Sequence, residues 1–127
     1  MQDRNVNVRH AAAMTGPMAC VVPTGGRRLL ISGIVGVNAD GDLEKGMRAQ
    51  LERALHTLVE TCEAAGFAKE QIVRIATTVT EPGRFALYKE VRERVLPGHE
   101  CLSSYVQVSG LSSPNLLCEI EAEAIEE

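Results

Sequence analysis

The stretch "DGDLEKGMRAQLERALHTLVETCEAAGF", residues 40–67, decides the fold, because it predicts the longest regular element of the chain. Its apolar residues recur every three or four positions, as on one face of a helix. They are Leu43, Met47, Leu51, Ala54, Leu55, Leu58, Val59 and Cys62. We expect Asp42 to cap the start of this helix and Gly66 to end it in the left-handed conformation. A helix of about six turns with a single apolar stripe is expected to lie across a sheet.

The segment before this helix predicts two strands. "MACVVP" (18–23) and "RRLLISGIVGV" (27–37) flank the turn sequence "TGG", a pattern typical of a hairpin. Gly33 and Gly36 interrupt the second strand, which indicates a bulge or a close approach of another backbone segment.

The segments after the helix predict three strands and a second helix. They are a strand at 72–80, a helix at 84–96, and strands at 103–111 and 116–124. The predicted order is therefore ββαβαββ, in one α+β domain over residues 1–127, with residues 1–12 as an irregular lead-in. We expect a mixed or mostly antiparallel sheet with both helices on one face.

The last predicted strand is half polar. Glu119 and Glu121 fall on one face, and Cys118 and Ile120 on the other. A half-polar sheet face in so small a domain indicates packing against other subunits, with polar pockets between them.

Composition excludes several classes of function. The chain has 127 residues and a net charge of −4, with scattered basic residues, so we expect no nucleic-acid partner. No apolar run approaches the ~20 residues of a membrane span. Cys20, Cys62, Cys101 and Cys118 lack the spacing of a metal site. Four cysteines are enough for two disulfides. Reduced thiols in a cytoplasmic protein are favoured, since no segment has the pattern of a signal peptide.

The stretch "GHECLSSYVQVSGL" (98–111) brings a histidine, a carboxylate, a thiol and two adjacent hydroxyls close together in sequence. His99 and Glu100 follow a Pro-Gly pair and are interpreted as loop residues. A nucleophilic Ser103 would need a base oriented toward it, which the sequence does not supply. Cys101 is either a reactive thiol beside a cation or a buried core residue.

The order of these segments resembles the RidA/YjgF family from about residue 12 to residue 124. The resemblance rests on "ISGIVGV", the helix "DGDLEKGMRAQLERALHTL", "LVETCEAAGFAKEQIVRIATTVT", the "F…Y" of the second helix, and "VQVSGL…CEIEAEA". It implies a chorismate-mutase-like homotrimer with a barrel-like sheet core and three clefts between subunits. It also implies hydrolysis of reactive enamines and imines, such as 2-aminoacrylate, to 2-keto acids and ammonia, with no metal or organic cofactor.

The resemblance also implies a cleft, and several of its positions have changed in this chain. Glu119 matches the family's water-positioning glutamate, while Ser103 stands where the family has a carboxylate-binding arginine. Lys89 and Arg92 replace an asparagine and a tyrosine; they either receive an anion together or form a solvated face. The predicted ligand-binding residues are Met18, Cys20, Ser32, Gly33, Phe85, Lys89, Arg92, Cys101, Ser103 and Tyr105, with Glu119 as the catalytic candidate.

The missing arginine predicts weak or no 2-aminoacrylate deaminase activity. Loss of one partner of a buried ion pair costs on the order of 2–5 kcal/mol. We therefore expect a small metabolite, such as an enamine, imine or related carbonyl compound, in intersubunit clefts. The alternative is a non-catalytic ligand-binding or pathway-accessory protein. The ribonuclease activity implied by some relatives is disfavoured by the acidic charge.

Overall fold

The computed structural model describes residues 25–126, and the backbone of two short strands at residues 5–6 and 19–20. Its elements are β1 Asn5–Val6, β2 Ala19–Cys20, β3 Arg28–Ile34, α1 Met47–Ala64, β4 Ile72–Val79, α2 Phe85–Val95, β5 Leu102–Gln107 and β6 Cys118–Ile125.

Four of the strands form a mixed sheet in the order β3-β6-β4-β5. Strand β6 is antiparallel to both of its neighbours, whereas β4 and β5 are parallel. A parallel pair needs a crossover connection, and α2 supplies it. The predicted α+β class and mixed sheet are confirmed.

Both helices cover the same face of this sheet, as predicted. In β6, Cys118, Ile120 and Ala122 are buried in one core with the apolar stripe of α1, whereas Glu121 is exposed. The predicted alternation of β6 therefore separates a core face, beneath the helices, from an open face that carries acids.

The C-terminus of α1 forms as predicted, with Gly66 at a φ of +83°. The Phe67 amide donates to the Cys62 carbonyl at 2.9 Å, and the Gly66 amide donates to the Glu63 carbonyl at 3.0 Å. These two bonds make a Schellman motif, in which a left-handed glycine satisfies the last helical carbonyls.

The predicted start of α1 is wrong by about one turn. Asp42 does not cap the helix, because a turn binds its backbone first: its amide donates to Oδ1 of Asn38 at 3.0 Å. Leu43 forms an isolated bridge with Val37, and the helix begins at Met47 after Gly46, without a side-chain cap. Leu43, which continues the apolar stripe of the helix in the sequence, therefore belongs to the turn and not to the helix.

The predicted hairpin partner of Ala19–Cys20 is also wrong. Strand β2 pairs with Asn5–Val6, in the lead-in that was expected to be irregular, and β3 pairs with β6. The remainder of the lead-in and of the first predicted strand lies outside the described residues. A turn sequence specifies only where the chain reverses, whereas the partner of each strand depends on long-range packing.

The bulge and the close approach predicted for Gly33 and Gly36 are both present, although β3 ends at Ile34 and Gly36 lies beyond it. The pairing of β3 with β6 shifts register between Ile31 and Ile34, around Gly33. A Cβ on Gly36 would lie 2.5 Å from the Gln50 Cα, so only glycine allows α1 to approach this closely.

Gln50 connects α1 to the segment that leads into β6. Its side chain is 2% exposed; Nε2 donates to the carbonyls of Glu44 at 3.0 Å and Asn115 at 3.1 Å. Its Oε1 accepts the Leu117 amide at 2.8 Å. These bonds fix the position at which β6 begins, and hence the face to which Glu119 points.

Candidate functional site

A cavity of about 440 Å³ lies between α2 and the helix-side face of β5. Ser103 and Tyr105 are paired in register with Ile75 and Thr77, which are buried on the helix side of β4. Because side chains alternate along a strand, Ser103 and Tyr105 face α2. The cavity is lined by Phe85, Tyr88, Lys89, Arg92, Glu93, Leu96, His99, Glu100, Cys101, Ser103 and Tyr105.

The Arg92 guanidinium crosses from α2 to the start of β5. Its Nη1 donates to the Ser103 hydroxyl at 2.5 Å, and its Nη2 donates to the Cys101 sulfur at 3.1 Å. A longer bond of 3.4 Å joins Nη1 to the Tyr88 hydroxyl. A guanidinium is therefore present beside Ser103, although the helix contributes it and not the strand.

Three aromatic rings form one wall of the cavity. The Phe85 and Tyr105 rings meet edge to face with centroids 4.9 Å apart, and the Tyr88 and Tyr105 centroids are 5.2 Å apart. Tyr88 is buried and its hydroxyl is hydrogen-bonded to that of Thr77 at 3.0 Å, whereas Phe85 is 49% exposed. The wall is thus buried and hydrogen-bonded at Tyr88 and open to solvent at Phe85.

The loop between α2 and β5 supplies a rim that the sequence did not assign to the site. His99 Nε2 lies 2.9 Å from the Ile72 carbonyl. Burial lowers the pKa of His99, and the nearby Arg92 charge acts in the same direction, against the hydrogen bond to Ile72. Glu93 accepts the Gly98 amide at 3.0 Å. In the sequence, His99 and Glu100 stand directly before Cys101, and this proximity could have indicated that they line the site.

The other predicted residues lie away from this cavity. Cys118 and Ile120 are buried beneath the helices, so Glu119 between them points to the open face. A Cβ on Gly33 would overlap the Glu119 carboxylate, which places these two residues in contact. Ser32 is exposed next to them and does not line the cavity.

The predicted site residues therefore form two groups within one chain. Around the cavity the structure brings together Phe85, Lys89, Arg92, Cys101, Ser103 and Tyr105. Glu119 and Gly33 lie in contact on the opposite face of the sheet, with Ser32 next to them. Met18 and the side chain of Cys20 lie outside the described residues. That these residues bind a ligand stays a prediction.

Within residues 25–126, no group of three or more His, Cys, Asp or Glu side chains is arranged to hold a metal ion. Over the same part of the chain, neither helix combines the length and apolar character needed to cross a membrane.

Comparison with known proteins shows a consistent set of relatives. The family model described as Endoribonuclease L-PSP matches residues 9–126. A RutC family protein from Aquifex aeolicus is 27% identical over 123 residues, which are 96% of this chain and 97% of that protein.

Solved structures of similar proteins cover almost the whole chain. A putative endoribonuclease from Thermotoga maritima is 30% identical, with a TM-score of 0.74 and 99% of both chains covered. RidA from an Antarctic Psychrobacter species is 27% identical, with a TM-score of 0.75, and the match covers 98% of this chain and all (100%) of that one.

Proposed function

Since the chain belongs to the endoribonuclease L-PSP family, which is the RidA/YjgF family of the sequence resemblance, we propose that it binds a small enamine, imine or related carbonyl metabolite. The proposed site is the cavity between α2 and β5. The observation that carries the proposal is the combination of the Arg92 guanidinium with an aromatic wall that is open at Phe85. Such a cavity offers one charged group for orientation and apolar surface for affinity.

We propose weak or no activity on 2-aminoacrylate. In the family pattern an arginine stands at the position of Ser103. The guanidinium beside Ser103 comes instead from Arg92 on α2, so a substrate carboxylate is held from a different direction. A cavity of about 440 Å³ also leaves most of its volume unfilled by a three-carbon acid. The test is pyruvate release in an assay coupled to a PLP-dependent dehydratase. Rapid pyruvate release above the uncatalysed rate would contradict this proposal.

The site is proposed to lie at an interface between copies of this chain, in a homotrimer. Glu119 shares the open face of the sheet with Leu30, which is 68% exposed, and Val106, which is 51% exposed. Apolar side chains on an open sheet face favour burial against another copy. A second copy would also supply a Glu119 that the cavity of a single chain lacks. A monomeric mass in solution by light scattering would contradict this arrangement.

The proposed reaction is hydrolysis of an imine. Water adds to the carbon of the C=N bond, the C–N bond breaks, and nitrogen leaves as ammonia. Glu119 is the candidate to orient this water. Ammonia release from imino acids generated in situ by an amino-acid oxidase is expected to fall at least ~10²-fold in Glu119→Gln. Glu121→Gln is the matched control, because Glu121 lies two residues along the same strand and same face. Equal rates in both variants would contradict the role of Glu119.

The second candidate is a non-catalytic ligand-binding or pathway-accessory protein. The separation of Glu119 from the cavity within one chain favours it, since the cavity alone contains no carboxylate from β6. Ligand binding without turnover of any imine tested would decide for this alternative. The cytoplasmic location likewise stays a prediction.

Ribonuclease activity is disfavoured despite the description of the family. RNA binding depends on clustered cations that are free to contact phosphates. The net charge is −4. Glutamates already pair with several surface arginines within the described residues, at Arg27–Glu126, Arg28–Glu123, Arg48–Glu90 and Arg84–Glu81.

A further inference from the structure

The Arg92 guanidinium retains unused donor capacity inside the cavity. Arginine has five N–H groups. The two on Nη1 donate to Ser103 and Tyr88, and one on Nη2 donates to Cys101. Among residues 25–126 the Nε–H and the second Nη2–H have no acceptor. The same pair of nitrogens in Arg27 grips the Glu126 carboxylate in a bidentate manner, at 2.8 Å each.

Among residues 25–126, the charge of Arg92 also has no carboxylate counterion. Its three hydrogen-bond partners in this part of the chain are hydroxyl or thiol groups, and no carboxylate there lies within 4.0 Å of it. Glu93, on the same helix, is already bound to the Gly98 amide, and Glu100 is exposed to solvent. A half-buried guanidinium held by neutral groups, with two donors remaining, is suited to a planar carboxylate.

The aromatic wall determines which chemical group of a ligand can fill the rest of the cavity. Phe85 is 49% exposed, although its ring packs edge to face on Tyr105. A planar apolar group lying against these rings would remove the exposed face of Phe85 from water. The cavity of about 440 Å³ can enclose a substituted aromatic ring together with a carboxylate.

We infer that Arg92 binds the carboxylate of an aromatic 2-oxo or 2-imino acid whose ring lies against Phe85 and Tyr105. Ser103 and Cys101 are positioning residues, because they orient the guanidinium and leave two of its N–H groups for the ligand. This inference rests on the proposed function, since it specifies which metabolites the cavity accepts. It also makes Arg92 the residue that determines specificity for acids over neutral carbonyl compounds.

Calorimetric titration with phenylpyruvate and with its uncharged methyl ester tests this inference. The wild type is expected to bind the acid at least ~10-fold more tightly than the ester. Arg92→Gln is expected to lower the affinity for the acid about 30-fold or more, while the affinity for the ester stays the same. Unchanged ester binding also shows that the cavity of the variant is intact. Arg92→Lys keeps the charge without the planar fork and should give an intermediate loss.

Arg94→Gln is the matched control. Arg94 lies on the same helix, its side chain is 67% exposed, and it does not line the cavity. Its substitution should leave both affinities as in the wild type. If the wild type binds acid and ester equally, or if Arg92→Gln retains acid affinity, the inference fails while the proposed site stands. If the wild type binds neither compound, the proposed site itself fails.

Discussion

Replacement of Gln50 by methionine tests whether the hydrogen bonds between α1 and β6 stabilise the fold. Methionine fills a similar volume in a helix but cannot form the three bonds of the amide. The substitution leaves the Leu117 amide and the Glu44 and Asn115 carbonyls without the partner that each has in the native protein. The variant should therefore fold less stably, without a cavity to explain the loss.

The expected magnitude follows from the number of bonds. A buried hydrogen bond contributes about 1 kcal/mol net, so three lost bonds lower the free energy of unfolding by about 3 kcal/mol. An unfolding entropy of about 2.1 cal/mol/K per residue over 127 residues gives roughly 0.27 kcal/mol/K. The expected decrease in Tm is thus about 11 °C.

The assay is thermal and urea unfolding followed by far-ultraviolet circular dichroism, at one protein concentration because association shifts apparent stability. His56→Met is the control, since His56 lies on α1 and is exposed. If Gln50→Met loses no more stability than the control, the three bonds do not contribute as argued. Gln50 would then not be the residue that holds the start of β6 in place.

Three further changes follow from local geometry. Because burial holds the pKa of His99 below its ordinary 6.5, the neutral form stabilises the fold above that value and this stability is lost on acidification. Urea midpoints should therefore fall from about pH 7 to about pH 5. The fall should be less steep in His99→Gln, and equal slopes in the wild type and this variant would contradict this origin. Gly36→Ala should destabilise by about 1–3 kcal/mol, because its Cβ meets backbone atoms of α1, whereas Gly25→Ala meets nothing within 4 Å; equal melting temperatures would exclude a clash. Burial raises the pKa of Cys118 to about 12, so peptide mapping after iodoacetamide should find it modified only in denaturant, and labelling of the native protein would contradict its burial.

Periodicity predicted the elements of this protein well and their partners poorly. The stripe of α1 and the left-handed Gly66 are local features, and both were confirmed. The pairing of β2 with β1 depends on contacts remote in sequence, and the predicted partner was wrong. The predicted start of α1 was wrong because a local turn at Asn38 and the bridge between Val37 and Leu43 compete with the helix. The pattern of apolar residues along the chain does not show which of the competing contacts is more stable.

The site shows the same limit. Alignment of Ser103 with an arginine indicated that a guanidinium had been lost. It did not indicate that Arg92, eleven positions earlier on a helix, supplies one at that place. This outcome depends on the crossover that sets α2 above β5 and on the direction of one long side chain, which residue spacing alone does not specify.

The aromatic wall makes the protein its own optical reporter. The chain contains two tyrosines and no tryptophan, and both tyrosines line the cavity. Intrinsic ultraviolet emission therefore originates at this one place in the molecule, where one phenol is hydrogen-bonded to Thr77 and the other has no hydrogen-bond partner among the described residues. Quenching or enhancement on addition of a ligand acid that does not absorb at the excitation wavelength would monitor occupancy without any label, and the two phenols could be distinguished by replacing each with phenylalanine.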